Sequence, residues 1–486
     1  MKRKIALFLM AAFILLTILS CAQTGGDQDE REAANIDQSQ EAPEQTEPED
    51  MFRTLGDRDF GGYEFRFLVL EAGINDTNRF VQEIFVEEQT GDTIDDAVYL
   101  RNAITEDRYN VKITAVISPS PEADARRTIR AGDNAYDMVN LYKGHAMTLG
   151  AEGLFKNFHD LEHVDFNAPW WSSRCAEGLS IMGKLYNMSG SILISEIDDT
   201  LAMIFNKKLL VDHEIEDLYS LVSRGYWTLD RMIEIVRGIS ADLNGDGIHE
   251  PKYDLFGYAQ DPYSMAFNWV FSSDLLNGYI DDGGIYNPNV NIERVQLLVD
   301  KLRVLFSDQT SAYTGLDLYE GLTYFEENRI FLYAVILRNL ELLRAMEVDF
   351  GVLPYPKLDE AQKNYITHVG ASSSIMCISG TNDDNERTGF ILEAMSIASH
   401  DLVTPAYYDI ALKTKFARDD DSSEMLDIIL ESRIYDLSYY AGQSLVHLVS
   451  PIITRGDSNF ASVYERQGER TFASLQRVID KIIAAE

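Results

Sequence analysis

Hydrophobic positions along the chain follow the spacing of strands and helices in turn. "YEFRFLVL", Tyr63–Leu70, is an apolar run typical of a buried strand, and a helical pattern follows over Thr93–Tyr109. Residues 111–117 and 136–142 are again apolar and predict two more strands. Strand, helix and strand in this order predict βαβ units with a largely parallel sheet, so the expected fold class is α/β.

The same patterns continue through the second half of the chain. "LAMIFN", Leu201–Asn206, predicts a strand. In "WTLDRMIEIVRG", Thr228 can cap a helix that has one apolar face and ends at Gly238. Apolar side chains at helical spacing over residues 472–482 predict a last helix. No internal repeat is visible, which argues against a repeat array such as an adhesive surface protein.

The first twenty residues have the pattern of a secretory signal. A basic stretch precedes "IALFLMAAFILLTI", an apolar run too short for a membrane span and followed by polar residues. "ILSC" resembles a bacterial lipobox, which implies cleavage before Cys21 and a lipid anchor there. The alternative is an ordinary signal peptide with a chance cysteine.

Residues 22–50 contain no aromatic side chain and are dominated by Glu, Asp, Gln and Pro. Such a composition cannot bury a core, so residues 21–58 are expected to form a disordered acidic tether. Anchor, tether and body in this order predict an extracytoplasmic protein held at the outer face of the cell membrane.

The charge of the chain restricts its possible partners, and its cysteine content restricts its possible disulfides. The formal net charge of −37 repels nucleic acid, which is therefore not an expected partner. Apart from Cys21, the only cysteines are Cys175 and Cys377. In an exported protein they are either one disulfide or two buried thiols, and the sequence leaves both open.

Several phrases, taken in order, resemble the extracellular solute-binding proteins of family 1, the carbohydrate-transporter group that includes maltose-binding protein. They are "YDMVNLYKGHAMTLGAEGLFKNFHDL", "GKLYNMSGSILISEIDDTLAMIFNKKLL", "GYWTLDRM", "DFGVLPYPK", and "SSSIMCIS" followed by "ERTGFILEAMSIAS". The resemblance covers most of the body and implies a type II periplasmic-binding-protein-like fold with two discontinuous lobes joined by a hinge. The expected boundaries are residues 59–197 and 358–400 for lobe one, and residues 198–357 and 401–486 for lobe two.

The resemblance also implies a function. The chain would be the monomeric, membrane-anchored substrate-binding subunit of an ABC importer. It would capture a sugar or oligosaccharide in the interlobe cleft by hinge closure and deliver this ligand to the permease subunits. Ligands of open α/β sheets bind beyond the carboxyl ends of strands, and hinge closure buries them. Sugars need polar side chains for their hydroxyls and flat aromatic rings for their C–H faces.

Strand ends and the resemblance together select candidate ligand-binding residues. Asp199 matches the family position where an acidic residue meets ligand hydroxyls, and Asp198 is its one-residue alternative. "DPY", with Asp261 and Tyr263, resembles an acid-Pro-aromatic element of the family's sugar site. The remaining candidates follow predicted strands or the "DPY" segment, and they are Glu71, Tyr142, Lys143, His145, Trp269, Tyr333 and Arg338.

The positions of the other three tryptophans predict which of them are buried. Trp227 stands beside a helix cap, where packing of the entry turn favours a core role. Trp170 and Trp171 are adjacent on a segment expected to be extended, so their rings should point in opposite directions, one inward and one free near the cleft rim.

"DLNGDG" has the opening of an oxygen-rich calcium loop, and some members of the family carry a similar loop as a structural calcium site. Asp254 stands one residue beyond position twelve, which Tyr253 occupies, so an ion-free Asx turn is the alternative. No second calcium loop follows, so a bound cation would stabilise the fold, and the protein would not be a calcium sensor. The predicted ligands are Asp242, Asn244, Asp246, Ile248 through its carbonyl, Glu250 and Asp254.

Two other functions compete with sugar transport. A glycosidase would need one specific pair of carboxylates among 79 acidic residues, and neither GxSxG nor HExxH is present. Ferric-ion-binding relatives of the same fold use adjacent tyrosines, and the pairs Tyr407–Tyr408 and Tyr439–Tyr440 match that pattern.

Overall fold

A computed structural model describes most of the body of the chain. Within the part it describes, no helix combines the length and the apolar character that crossing a membrane requires. The described residues are 51–71, 79–261, 265–344, 346–347, 349–408, 412, 419–455 and 459–485.

The strands of the described residues are, in chain order, β1 (Tyr63–Leu70), β2 (Val111–Ser118), β3 (Met138–Tyr142), β4 (Phe155–Lys156), β5 (Leu201–Asn206), β6 (Phe256–Gln260), β7 (Gly278–Ile280), β8 (Tyr286–Pro288), β9 (Ala312–Thr314), β10 (Ile330–Ile336), β11 (Phe350–Leu353), β12 (Thr367–His368), β13 (Ser374–Ser379) and β14 (Arg433–Ile434).

The α-helices are α1 (Thr93–Tyr109), α2 (Pro121–Ala131), α3 (Lys143–Ala151), α4 (Ser173–Leu179), α5 (Ser195–Asp198), α6 (Lys207–Asp212), α7 (Leu218–Ser223), α8 (Leu229–Arg237), α9 (Met265–Ser272), α10 (Ile292–Ser307), α11 (Leu318–Glu326), α12 (Asn385–Ala398), α13 (Asp420–Glu431), α14 (Leu437–Tyr440), α15 (Leu445–Arg455) and α16 (Phe460–Ala484). Short 3₁₀ segments lie at Phe158–Asp160 and Leu337–Glu341, and a π-helical turn lies at Ser399–Val403.

The first large sheet has the strand order β2-β1-β3-β13-β4. β1 runs parallel to β2 and β3, as the βαβ pattern predicts, whereas β13 is antiparallel to β3 and β4. Ser374, the first residue of β13, stands opposite Tyr142, the last residue of β3. The chain therefore re-enters this sheet at the edge where its parallel strands end.

The second large sheet, of order β11-β5-β10-β6-β9, has the same arrangement. β6 is parallel to β10 and β9, and β5 is antiparallel to β10 and β11. Leu201 at the start of β5 stands opposite Ile336 at the end of β10. Both connections between the sheets thus lie where the parallel strands of each sheet end, which is where α/β sheets bind ligands.

The helix after Trp227 forms for the reasons that the sequence predicts. Thr228 accepts a hydrogen bond from the Arg231 amide, and Gly238 is the C-cap. Trp227 is fully buried and donates its indole N–H to the Pro354 carbonyl at 2.9 Å, which confirms its role in the core.

The packing corrects the predicted boundaries in two places. Phe52 is buried against Tyr109, with ring centroids 5.3 Å apart, so the folded body begins before residue 59. Leu358 packs in the core around the second sheet, and Val369 is in the core around the first sheet. Lobe one therefore resumes nearer to residue 369 than to residue 358, because the connecting segment first packs on lobe two.

The C-terminal segment is divided between the lobes rather than confined to lobe two. In α16, Phe460 and Val463 pack in the core of the second lobe. Leu475, Ile479 and Ile482 of the same helix pack in the core of the first lobe. This 25-residue helix spans about 37 Å at 1.5 Å per residue, long enough to contact both lobes.

Because α8 packs closely on β6, a larger side chain at Gly257 should destabilise the folded protein. A Cβ atom there would lie 2.1 Å from the Val236 carbonyl oxygen, a backbone atom that cannot rotate away. We expect Gly257→Ala to lower the free energy of unfolding by about 2–3 kcal/mol. Gly238→Ala is the control, since its nearest neighbour would be at 3.4 Å. Urea unfolding of both variants checks this, and equal midpoints would contradict it.

Candidate functional site

Two connecting segments lie side by side between the lobes. The outgoing crossover, residues 195–200, leads into β5, and the return crossover, residues 369–374, leads into β13. Thr200 and Val369 form an antiparallel bridge, and the Gly370 amide donates to the Asp199 carbonyl at 3.0 Å. Every polar side chain on these segments is therefore held close to the carboxyl ends of both sheets.

A buried ion pair joins both crossovers to the first sheet. Lys143, at the start of α3, is 1% exposed, and its Nζ lies 3.0 Å from Glu196 Oε1. The same ammonium donates to Ser373 Oγ and, at 3.4 Å, to the Gly370 carbonyl. The other oxygen of Glu196 accepts the phenolic proton of Tyr435. A buried charge pair is tolerated only when it is satisfied in this way.

Glu83 is a second buried carboxylate that holds both crossovers. One of its oxygens accepts the Ser195 amide at 2.8 Å, and the other accepts the Ser374 hydroxyl. Burial raises the pKa of Glu83 to about 7, although these hydrogen bonds oppose the shift. The carboxyl group thus changes charge near neutral pH at the point where the chain crosses between the lobes.

Asp198 and Asp199 are both buried but meet different partners. Burial raises the pKa of Asp198 to about 6, while the Tyr407 hydroxyl and the positive charge of Arg338 oppose the shift. Asp199 accepts the Ser372 hydroxyl at 2.8–2.9 Å, and its pKa is raised by burial against the charge of Lys143. Each aspartate is therefore positioned by a hydroxyl donor.

Arginines from both lobes face these aspartates. Arg338 follows β10, and its Nε is buried without a hydrogen-bond partner in the described part of the chain. Arg79 lies 3.2 Å from Asp95 and 3.8 Å from Glu341, so it links the start of α1 to the 3₁₀ segment after β10. A half-buried arginine with an unused N–H is suited to hydrogen-bond a ligand hydroxyl or anionic group.

Four of the predicted ligand residues converge at the crossovers: Lys143, Asp198, Asp199 and Arg338. Tyr142 is half-buried beside them, with its ring 5.4 Å from that of Phe80. Asp261 is half-buried at the end of β6, and its charge adds to the effect of burial in raising the pKa of Tyr333. The predicted contact Tyr263 lies outside the described residues.

Two predicted contacts are core residues instead. Trp269 is 1% exposed, donates to Gln260 Oε1 at 3.1 Å and packs edge-on against Tyr355. Tyr333 is fully buried under α11, where its hydroxyl lies against Gly321. Both rings fill the interior of lobe two, because their side of the structure is covered by helices.

Two further candidates lie at the surface. His145 has a side chain 52% exposed, with Nδ1 3.3 Å from Glu122 Oε2 on α2. Glu71 is exposed just after β1, and its amide donates to the Ser118 carbonyl at 2.8 Å. Among the described residues, neither side chain forms a hydrogen bond or an ion pair with Lys143, Asp198, Asp199 or Arg338.

Several members of the cluster were not among the candidates. Glu196 and Ser372 belong to the crossovers, and Glu83 and Tyr407 form hydrogen bonds with them. A signal for two of them was present, since "SEIDD" places three acids in an otherwise apolar stretch and "SSS" precedes a buried strand. Glu83 and Tyr407 stand far away in sequence, and only the fold brings them to the crossovers.

The adjacent tryptophans do not point in opposite directions. Trp170 and Trp171 donate their indole N–H groups to the two oxygens of Glu393, at 2.9 and 2.7 Å. Trp171 is buried, and Trp170 remains partly exposed. Trp170 lies in a turn, where the Trp171 amide donates to the Ala168 carbonyl at 3.1 Å, so the alternation of an extended strand does not apply and both indoles reach one carboxylate on α12.

The predicted calcium loop is closed by its own hydrogen bonds. Asp242 accepts the amides of Gly245 and Gly247 at 2.6 and 2.9 Å. Asp254 accepts the amides of Leu243 and Glu250 at 3.0 and 2.9 Å. The donor set is chemically suitable for a hard cation, yet the described residues contain no group of three or more His, Cys, Asp or Glu placed to hold a metal.

The architecture resembles solved structures of ABC substrate-binding proteins. A sugar transporter from Rhizobium etli in an open conformation matches with a TM-score of 0.55 and 12% identity, over 87% of this chain and 100% of that chain. UgpB from Mycobacterium tuberculosis in complex with glycerophosphocholine matches with a TM-score of 0.53 and 12% identity, over 86% and 99%.

A third match is an ABC substrate-binding protein from Listeria monocytogenes in complex with cycloalternan, with a TM-score of 0.50 and 12% identity over 87% and 98% of the two chains. The sequence matches no protein-family model, and no curated protein is significantly similar to it. These likenesses show the fold: the chain has the two-lobe, periplasmic-binding-protein-like α/β architecture.

The buried carboxylate of Glu83 predicts a pH-dependent stability. The folded pKa of Glu83 is about 7 and exceeds the ordinary 4.5, so the folded state binds the proton more tightly than the unfolded state. The stabilisation that results is fully present below about pH 4.5 and is lost as the pH rises through about 7. We expect Glu83→Gln to be more stable than the parent at about pH 8, by up to about 3 kcal/mol, with the difference vanishing near pH 4.5.

Urea unfolding at several pH values measures this difference. Asp198 also titrates in this window and its charge contributes to the raised pKa of Glu83, so the measured difference includes the coupling between these two carboxyl groups. Glu177→Gln is the control, since that side chain is 66% exposed and its removal should leave the pH profile unchanged. A constant difference between Glu83→Gln and the parent at all pH values would contradict the assignment.

Proposed function

We propose that this chain is the substrate-binding subunit of an ABC importer and that it captures a sugar or oligosaccharide between its lobes. The observation that carries the proposal is the polar cluster at the crossovers, where Lys143, Asp199 and Arg338 meet at the carboxyl ends of both sheets. The fold shared with substrate-binding proteins supports it. Assignment to solute-binding family 1 is part of the same proposal.

Hinge closure gives this cluster a role in binding. Arg338 belongs to lobe two, whereas Lys143 belongs to lobe one, and Asp199 lies on the segment between them. A ligand that bonds to groups of both lobes stabilises the closed form by its differential contacts. Asp199 can accept and Arg338 can donate hydrogen bonds to sugar hydroxyls, and Asp261 offers a further carboxylate from the end of β6.

The anchor and the transporter complete the proposal. A lipid on Cys21 would hold the protein at the outer face of the membrane, and the acidic tether would give the body room to reach the permease subunits. The protein would act as a monomer and transfer its ligand without chemical conversion. Incubation with oligosaccharides tests the last point, since release of shorter sugars would indicate an enzyme.

A phosphodiester solute is the competing ligand within this fold, because UgpB from Mycobacterium tuberculosis was solved with glycerophosphocholine. Ferric iron has less support. The hydroxyls of Tyr407, Tyr408 and Tyr440 donate to Asp198, to Asp427 and to the Val369 carbonyl. Burial raises the pKa of Tyr407 and of Tyr440 well above the usual value, which disfavours the phenolate that iron would need.

Ligand binding is predicted to depend on the crossover cluster. Calorimetry with maltotetraose, cycloalternan and glycerophosphocholine should reveal one binding ligand for the parent protein. Asp199→Asn and Arg338→Ala should each raise its Kd at least about tenfold, equal to about 1.4 kcal/mol, because each removes a charged hydrogen-bonding group.

The control is Arg231→Ala, which removes a surface arginine that pairs with Glu216 and Glu234. Its Kd should equal that of the parent. Binding of a sugar with unchanged Kd in both cluster variants would refute the proposed site, and exclusive binding of glycerophosphocholine would replace the sugar by a phosphodiester.

Calcium in the loop around Asp242 is also a proposal, supported by the spacing of Asp242, Asn244 and Asp246. Each carboxylate oxygen that accepts one amide keeps a lone pair for a cation. We expect millimolar calcium to raise the Tm of chelator-treated protein, and Asp246→Ala to abolish the increase. An unchanged Tm after chelation and calcium addition would exclude the site.

A further inference from the structure

A cavity of about 500 Å³ lies beside the outgoing crossover. Glu196 and Ile197 form part of its wall, whereas Asp198, Asp199, Lys143 and Arg338 do not. The volume is within the ordinary range for small-molecule sites. The cavity therefore adjoins the crossover cluster through Glu196 and Tyr407, whereas the residues that the proposed function uses lie outside its lining.

One wall of this cavity is an indole held in a fixed orientation. Trp170 is partly exposed to the cavity, and its N–H is bonded to Glu393 Oε1 at 2.9 Å. The second oxygen of Glu393 is bonded to Trp171 at 2.7 Å, so the carboxylate cannot turn away. Burial raises the pKa of Glu393, and the two indole donors oppose that shift by favouring the carboxylate. A rigid, half-exposed aromatic face is the surface on which a sugar ring stacks.

Polar groups of both signs surround the indole. Ser189 and Ser191 lie in the lining next to the tryptophan, and the Ser191 amide donates to the Trp170 carbonyl at 2.9 Å. Arg433 also lines the cavity, and its Nε bond to the Leu430 carbonyl uses one of its five N–H groups. Glu431 adds an exposed carboxylate beside it.

We propose that this cavity is a second binding site, for a neutral sugar ring stacked on Trp170. Hydroxyl, guanidinium and carboxylate groups around an aromatic face match the alternating donors and acceptors of a sugar. The overall negative charge of the protein disfavours an anionic occupant. The proposal goes beyond the ligand cleft and does not depend on it, so either site can fail alone.

The experiment observes the tryptophan directly. The chain has four tryptophans. In the ¹⁵N-tryptophan-labelled full-length protein, the indole N–H resonance that Trp170→Phe removes is that of Trp170. The protein is titrated with D-glucose, D-galactose, D-mannose and D-xylose, each up to about 50 mM, a range that detects millimolar Kd values. We expect at least one sugar to shift the Trp170 resonance in a saturable manner.

Two variants separate this site from the cleft. Arg433→Met keeps the aliphatic stem but removes the guanidinium, and it should raise the Kd from this resonance at least about fivefold. Arg338 belongs to the proposed cleft and does not line the cavity, so Arg338→Ala should leave that Kd within about twofold. The proposal is overturned if no sugar shifts the resonance, if Arg433→Met leaves the Kd unchanged, or if Arg338→Ala abolishes the shift.

Discussion

The buried ion pair between Lys143 and Glu196 is the constraint on which the arrangement of the lobes depends. An ammonium and a carboxylate that are 1% and 2% exposed carry a large desolvation cost, which only close pairing and further hydrogen bonds offset. Lys143 directly follows the third strand of the first sheet, Glu196 stands on the outgoing crossover, and Ser373 stands on the return crossover. Three distant segments must therefore meet at one point for the charges to be satisfied.

This meeting point explains the unusual polarity of the region between the lobes. Glu83, Asp198 and Asp199 are all buried within it, and burial raises the pKa of each. Each also accepts a hydrogen bond from a hydroxyl group, and these bonds tie distant segments to the crossovers. Glu196 faces both this network and the cavity beside Trp170, so ligands on either side would contact the same segment.

Much of the fold could be predicted because it depends on local periodicity. Tyr63–Leu70, Thr93–Tyr109 and Leu201–Asn206 have the bounds in the structure that their apolar patterns indicate. The site was less predictable. Position in the sequence selected Asp199 and Arg338, which lie at the crossovers, and their role in ligand binding stays a prediction. Trp269 is a core residue, because an aromatic side chain near a strand end has the same sequence pattern whether it faces ligand or interior.

By itself, the sequence determined the alternation of strands and helices, the caps of individual helices and the class of fold, since these follow from interactions between residues close along the chain. Only the tertiary structure decided which charges meet. Glu83 and Ser374 are 291 positions apart, and Tyr407 and Asp198 are 209 apart, so no local pattern relates them. Their contacts exist because burial of both sheets forces the crossovers together, and buried polar groups must then find partners there.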